Sequence, residues 1–218
     1  MTILLLTILA LLTALIHLWT EFHGPRWLIY FAKPATTILI LIVAFVASTP
    51  TTRAYQAAIV IGLLFAVVGD IMLMLPTDRF VAGLVSFLVT HLCYIIAFAT
   101  QTRWPVWSPW ALFVPLYAGV IYALLHRHLG ALRVPVMVYM AAIVVMAWQG
   151  VTLADQQRML WAHAAGVGSI LFVISDSVLA LNRFRHPVAG AQLIVLSTYY
   201  VAQWLIAWSV YGTLSYLA

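Results

Sequence analysis

Two aspartates lie inside long apolar stretches of the sequence, at matching positions of a segment that occurs twice. The segments are GLLFAVVGDIMLML at 62–75 and GSILFVISDSVLAL at 168–181, and an offset of 106 residues brings Asp70 onto Asp176. A carboxylate in hydrocarbon costs about 2.5–3.5 kcal/mol even on a lenient insertion scale. Because the chain accepts this cost twice, we predict that the two carboxyl groups act together. Such a pair holds a protonated acid beside an ionised base, the arrangement that carboxylate-pair hydrolases use.

Other polar residues are predicted to lie near these aspartates. At a rise of 1.5 Å per residue, Asp70 and Asp176 each lie about 9–10 Å before a predicted helix end. Lys33 and Tyr139 follow helix starts on the same membrane side by six or seven residues. These four side chains are therefore predicted to converge in the cytoplasmic third of the bilayer, at the rim of a pocket that fits an amphiphile. The predicted pocket interior is aromatic and mildly polar, with His91, Tyr199, Tyr200 and Gln203.

Each of these residues also has a purely structural interpretation. The aspartates could form ion pairs with Lys33 or with a loop arginine. Lys33 could instead extend to the interface, as lysines near helix ends do. His91 could be a core histidine, and the three tyrosines could be packing residues.

The sequence lacks the residues that zinc hydrolases and serine hydrolases need. A catalytic zinc needs three protein ligands, but His91 is the one histidine predicted to lie deep, and His17 and His163 are predicted toward the opposite membrane face. The G-x-S-x-G elbow of serine hydrolases does not occur in the sequence. The single cysteine, Cys93, excludes an intrachain disulfide and a multi-cysteine metal site. We predict no metal and no cofactor.

The composition indicates an all-α, polytopic membrane protein. Of 218 residues, 66% are hydrophobic and 7% are charged, whereas soluble domains carry about 25% charged residues. Eight apolar runs approach the ~20 residues that a spanning helix needs, so we predict eight transmembrane helices in a single domain, 1–218. The runs are 2–19, 28–47, 54–75, 80–100, 107–125, 134–150, 159–181 and 189–213.

Basic residues predict the orientation and exclude a nucleic-acid partner. The formal net charge is +5, but the arginines are spread over loop ends and form no patch with interleaved aromatics. By the positive-inside rule, the loops richer in arginine face the cytoplasm, so both termini are predicted outside. The expected location is a bacterial cytoplasmic (inner) membrane. The arginines of the cytoplasmic loops are Arg26, Arg79, Arg127, Arg133, Arg183 and Arg185.

The repeated aspartate segment suggests two parallel four-helix repeats, helices 1–4 over about 1–100 and helices 5–8 over about 107–213. At the same offset Lys33 aligns with Tyr139, and parallel repeats occur in membrane folds. Chance similarity between apolar segments is the alternative. Small residues such as Gly62 and Gly69 are predicted to let neighbouring helices approach closely.

Several motifs together resemble the YhhN-like lysoplasmalogenase family. They are KP at 33–34, GDIMLM at 69–74, G-x-x-S-F-L-x-x-H-x-x-Y at 83–94, FVISDSVLAL at 172–181 and TYYVAQ at 198–203. The resemblance implies eight membrane helices and hydrolysis of the vinyl-ether bond of lysoplasmalogens, which releases a fatty aldehyde and glycerophospho-ethanolamine or -choline. The family's polar positions fall on Lys33, Asp70, His91, Asp176, Tyr200 and Gln203.

The residues fit that chemistry, because acid hydrolysis of a vinyl ether begins with a proton transfer to carbon. Our hypothesis is that one aspartate donates this proton while the other stabilises the cation and activates water; the sequence does not say which does which. Lys33 and a loop arginine would hold the phosphate of the lysophospholipid. His91 and Tyr200 would position water or the leaving oxygen. The rival hypotheses are a proton-coupled transporter or flippase of a lysolipid and a non-catalytic lipid-binding or sensing protein.

Overall fold

The computed structural model describes residues 2–212, and within that range the regular structure is entirely helical. The predicted all-α class is therefore confirmed. Each predicted apolar run overlaps one α-helix; residue 213, the last of the eighth run, lies outside the described residues. The helices are α1 (Thr2–His23), α2 (Arg26–Phe45), α3 (Arg53–Met74), α4 (Phe80–Ala99), α5 (Phe113–Leu125), α6 (Arg133–Gln157), α7 (Leu160–Ala180) and α8 (Ala191–Trp208).

Six of the described helices are long and apolar enough to cross a membrane: α1 to α4, α6 and α7. The chain is therefore an integral membrane protein, as predicted. The helix α5 has 13 residues, and α8 has 18 residues that include two glutamines and two tyrosines. Neither belongs to the six, so eight crossings remain a prediction.

Proline accounts for the short fifth helix. The apolar run 107–125 contains Pro109 and Pro115, and proline is tolerated in the first turn of an α-helix, where the N–H groups have no partner within the helix. The chain makes a 3₁₀ turn at Pro109–Leu112 before α5 begins. At 1.5 Å per residue, α5 is about 20 Å long, which is less than the ~30 Å of a hydrocarbon core.

The helices enclose a common interior. The helix α3 packs along α4, α7 packs along α8, and α2 and α6 each pack against the next helix of the chain. Contacts of α4 with α6 and of α2 with α8 join the N-terminal and C-terminal halves. The helices α1 and α5 pack on the outside and expose many large apolar side chains, as expected where lipid is the solvent.

Two glycines set the distance between α3 and α4, which confirms the predicted role of small residues on α3. A Cβ atom on Gly62 would lie 2.5 Å from the Tyr94 ring, and one on Gly69 would lie 2.7 Å from the Phe87 ring. No such contact is tolerable for a carbon atom, so larger residues at these positions force the two helices apart. Because α3 carries Asp70 and α4 carries His91, this packing also positions the polar interior.

We expect Gly62→Val to destabilise the protein by about 1–3 kcal/mol, the usual cost of overpacking a close contact. The measurement is the thermal unfolding midpoint in detergent. The control is Gly119→Val on α5, where a Cβ atom meets nothing within 4 Å. Equal midpoints for the two variants would contradict this account of the α3–α4 contact.

The two predicted repeats differ in their first helices, since α1 has 22 residues and α5 has 13. Duplication therefore stays a prediction. The polar contacts described below do recur at the predicted offset.

Candidate active site

Both aspartates line one cavity of about 460 Å³ on the side of the bundle where α2 begins and α3 and α7 end. Residues from α2, α3, α4, α7 and α8 contribute to its wall. The polar side chains of the wall are Lys33, Asp70, Ser175, Asp176, Asn182, Arg183, Gln192 and Tyr199. Two carboxyl groups far apart in the chain therefore face a shared space.

Asp70 is surrounded by groups that stabilise its ionised form. Its carboxylate is almost fully buried, and Lys33 Nζ lies 3.7 Å from Oδ1. The hydroxyls of Thr37 and Tyr199 both donate to Oδ2, at 2.6 Å and 2.8 Å. One cation and two hydrogen-bond donors offset the cost of burying a negative charge.

Asp176 has a different environment. The Tyr139 hydroxyl donates to its Oδ2, and His91 Nε2 lies 4.0 Å from the same oxygen. No lysine or arginine among residues 2–212 lies within ion-pair distance of it. The Asp176 side chain is 17% exposed, and without a cation beside it the ionised form of this carboxyl group is less stabilised than that of Asp70.

An apolar crevice adjoins Asp176 on the side away from Lys33. The crevice is narrow, about 60 Å³, and Tyr139, Asp176 and Ser177 are its polar members. It lies between α4, α5, α6 and α7, and its apolar lining includes Leu84, Ile121, Val136 and Phe184. Asp176 thus stands where a polar cavity meets a hydrocarbon-lined opening.

The contacts of the two aspartates are related across the halves of the chain. Lys33 on α2 contacts Asp70 on α3, and Tyr139 on α6 contacts Asp176 on α7, at positions that differ by 106 residues. A residue from the other half completes each set, since α8 supplies Tyr199 to Asp70 and α4 supplies His91 to Asp176. The structure therefore brings the four residues predicted for the pocket rim together as two pairs.

His91 is fully buried on α4 and packs edge-on against the rings of Tyr139 and Phe172, with centroid distances of 5.0 Å and 4.8 Å. Its Nε2 atom lacks a hydrogen-bond partner among the described residues. The ring is thus packed like a core side chain while its Nε2 atom faces the Asp176 carboxyl group.

Tyr200 and Gln203 do not line the cavity that contains the aspartates. The Tyr200 hydroxyl is hydrogen-bonded to His17 Nδ1 at 2.7 Å, and the ring faces an apolar groove of about 370 Å³ between α1, α2 and α8. Gln203 is fully buried and accepts a hydrogen bond from Tyr94 at 2.6 Å. Both lie on α8 with Tyr199, but outside the wall of the cavity that contains the aspartates.

The prediction that His17 lies toward the opposite membrane face is wrong. A short turn at 24–25 makes α1 and α2 antiparallel neighbours, so the last turns of α1 lie beside the first turns of α2. His17 therefore shares a second cavity with Lys33. Sequence analysis also missed Thr37, although it follows Lys33 by four residues and so lies on the same helix face.

An ion pair at the mouth of the larger cavity connects the loop after α3 with the helical turn Leu181–Arg185 that follows α7. Arg183 donates to Asp78 at 2.5 Å, and its guanidinium lies 4.9 Å from the centre of the Phe80 ring. The hydrogen bond from Arg183 lowers the pKa of the Asp78 carboxyl group. Asp78 is therefore ionised at neutral pH, and Arg183 is held at the rim where an anionic group would enter.

The arrangement can carry out acid–base chemistry with its own side chains. One carboxyl group is paired with a cation, the other is not, and both face the same space. Among residues 2–212, no three His, Cys, Asp or Glu side chains converge in an arrangement that could hold a metal ion.

Comparison with known proteins identifies relatives over most of the chain. The YhhN family matches residues 28–210. Human lysoplasmalogenase TMEM86A is 36% identical over 199 residues, which cover 88% of this chain and 82% of that protein. Lysoplasmalogenase TMEM86B of Sus scrofa is 34% identical over 194 residues, covering 88% and 80%. The membrane protein YhhN of Escherichia coli O157:H7 is 27% identical over 200 residues, covering 92% and 95%. No solved structure matches the chain.

Proposed function

The chain belongs to the YhhN family, and we propose that it is a membrane hydrolase that cleaves the vinyl-ether bond of lysoplasmalogens. The names of its relatives support this activity. The observation that carries the proposal is that two differently partnered carboxyl groups line one cavity, between a mouth that contains Arg183 and an apolar crevice. A lysolipid has the same order of parts: an anionic phosphate, a short polar linker and an alkyl chain.

In the proposed complex the phosphate lies near Lys33 and the mouth residue Arg183. The glycerol occupies the cavity, and the alkenyl group reaches Asp176. The alkyl chain enters the narrow crevice and continues along α5, whose outer residues Leu116 and Val120 are 66% and 59% exposed. Most of the chain then stays in the bilayer, so the crevice need hold only its first carbons.

Asp176 is the proposed general acid. Its proton is transferred to the alkenyl carbon that is not bonded to oxygen, which leaves an oxocarbenium ion and an Asp176 carboxylate. Lack of a nearby lysine or arginine keeps the proton on Asp176 until substrate arrives. General acid catalysis of this type contributes about 10²–10⁴-fold to a rate.

Asp70 is the proposed base and electrostatic stabiliser. Its negative charge, fixed by Lys33, Thr37 and Tyr199, favours the developing cation. Asp70 takes a proton from water as the water oxygen adds to the oxocarbenium carbon, giving a hemiacetal. The hemiacetal hydroxyl then returns a proton to Asp176 while Asp70 protonates the leaving glycerol oxygen. Aldehyde and alcohol are released, and both carboxyl groups return to their initial states.

The remaining site residues have supporting roles in this proposal. Tyr139 and His91 orient the Asp176 carboxyl group, and Tyr199 orients Asp70. Tyr200 and Gln203 act from outside the cavity wall, and the Tyr200 ring centre lies 5.3 Å from that of Tyr199, with the two rings tilted by 52°. The proposed location is a bacterial cytoplasmic membrane, and by the positive-inside rule the distribution of the arginines orients both termini outside.

We expect Tyr139→Phe to lower kcat by about threefold to tenfold, since one net hydrogen bond contributes about 0.5–1.5 kcal/mol. KM should change little, because Tyr139 acts through Asp176. The control is Tyr117→Phe on α5, whose ring is exposed. An effect on KM alone would contradict this positioning role.

Substrate turnover tests the proposed function. Purified protein is incubated with a vinyl-ether lysolipid and with its saturated-ether counterpart, and released fatty aldehyde is measured. We expect aldehyde from the vinyl ether alone. Absence of product, together with proton-coupled uptake of the lysolipid into liposomes, would favour a transporter instead.

A further inference from the structure

A second polar cavity, of about 300 Å³, lies at the turn between α1 and α2. It shares Lys33, Leu73 and Gln192 with the cavity that contains the aspartates. The two spaces therefore have common walls, and a substrate phosphate bound near Lys33 would direct its headgroup into the second cavity. The polar residues that line it are His17, Glu21, Arg26, Tyr30, Lys33 and Gln192.

Glu21 is the feature of this cavity that the hydrolysis mechanism leaves unused. It is the only glutamate in the sequence. Gln192 Nε2 donates to its Oε1 at 2.6 Å, and His17 Nε2 lies 3.6 Å from its Oε2. The Glu21 side chain is 21% exposed and lines the cavity. The side chain is thus held in place by a residue of its own helix and by one from α8.

No lysine or arginine among residues 2–212 lies within ion-pair distance of Glu21. Arg26 and Lys33 line the same cavity, yet Lys33 pairs with Asp70 instead. An anion and two cations therefore face one polar space without neutralising each other directly. This is the charge pattern that complements a zwitterion.

We propose that Glu21 binds the ammonium group of a zwitterionic headgroup, phosphoethanolamine or phosphocholine, and thereby selects against anionic headgroups. The inference rests on the proposed function for the identity of the substrate. Lys33, which lines both cavities, binds the phosphate, and Glu21 binds the amine one step further from the reacting bond. Tyr30 lines the same cavity, and aromatic rings attract ammonium groups. Like-charge repulsion from Glu21 disfavours a headgroup whose far end is negative, and a neutral far end lacks the attraction that an ammonium group gains.

Equilibrium binding tests this subsite separately from catalysis. The ligands are two uncleavable saturated-ether lysolipids, one with phosphoethanolamine and one with phosphoglycerol, and the protein is the purified full chain in detergent. We expect wild type to bind the first at least about tenfold more tightly, the scale of one hydrogen bond to a charged group. Glu21→Gln should remove this preference by weakening the first ligand alone, and Glu21→Asp should retain part of it. The control is Asp155→Asn, near the C-terminal end of α6 and outside this cavity. It should bind both ligands like wild type.

The corresponding vinyl-ether substrates should show the same effect in KM, with kcat nearly unchanged, because Glu21 contacts the headgroup and not the reacting bond. A Glu21→Gln variant that keeps the wild-type preference, or that weakens both ligands equally, would overturn the assignment. Selective binding by a wild-type protein that releases no aldehyde would support the headgroup subsite and overturn the hydrolase.

Discussion

We expect Asp176→Asn to lower kcat for a vinyl-ether lysolipid by about 10³-fold, within the range that general acids contribute. Asparagine has no acidic proton to transfer to carbon. The fold should persist, because the Tyr139 hydroxyl that now donates to Asp176 Oδ2 can donate to an amide oxygen as well. The measurement is steady-state aldehyde release, with KM determined in the same titration.

Two further variants make the Asp176 result specific. Asp176→Glu keeps an acid and should retain more activity than Asp176→Asn. Asp155→Asn makes the same chemical change on α6, outside the cavity wall, and should behave like wild type. Wild-type kcat in Asp176→Asn would remove Asp176 from the reaction.

The second large effect is expected for Asp70→Asn, which should lower kcat by about 10²–10³-fold, the scale of losing one group that stabilises transition-state charge. The change also leaves the Lys33 ammonium, which is 13% exposed, without its carboxylate. Breaking a buried pair in this way costs about 3–5 kcal/mol. Asp70→Asn should therefore lower both turnover and the unfolding midpoint, whereas Asp176→Asn should lower turnover alone.

A double variant separates the two consequences of Asp70→Asn. Combining it with Lys33→Met removes the unpaired cation, so the unfolding midpoint should recover toward that of wild type. Turnover should stay low, because the base is still missing. If activity returned together with stability, the role of Asp70 would be structural.

The depth of the site could be predicted from single helices. Asp70, Asp176, Lys33 and Tyr139 were placed at one level by counting residues from helix ends, and the structure joins them in two contacts. This works because the rise of a helix is constant, and because a carboxylate within an apolar run is expensive enough to mark a polar interior.

Contacts between distant helices could not be predicted in this way. His91 on α4 lies near Asp176 on α7 because both helices pack against α6. Tyr199 on α8 donates to Asp70 on α3 because α8 packs against α2 and α3. Spacing along one helix does not reveal which helices become neighbours. For the same reason the sequence does not predict that His17 lies near Lys33. It also does not predict a site role for Glu21, one turn further along α1.

The fate of the isotopes of water provides the most direct test of carboxylate-pair hydrolysis. Turnover is run in deuterated water that also carries heavy oxygen, the aldehyde is trapped at once, and both products are analysed by mass spectrometry. We expect one deuterium on the aldehyde carbon next to the carbonyl, delivered by Asp176, and no heavy oxygen in the glycerophospho product. Heavy oxygen in the glycerophospho product would mean that water attacks the glycerol carbon, which would contradict proton transfer to the alkenyl group as the reaction that Asp70 and Asp176 perform.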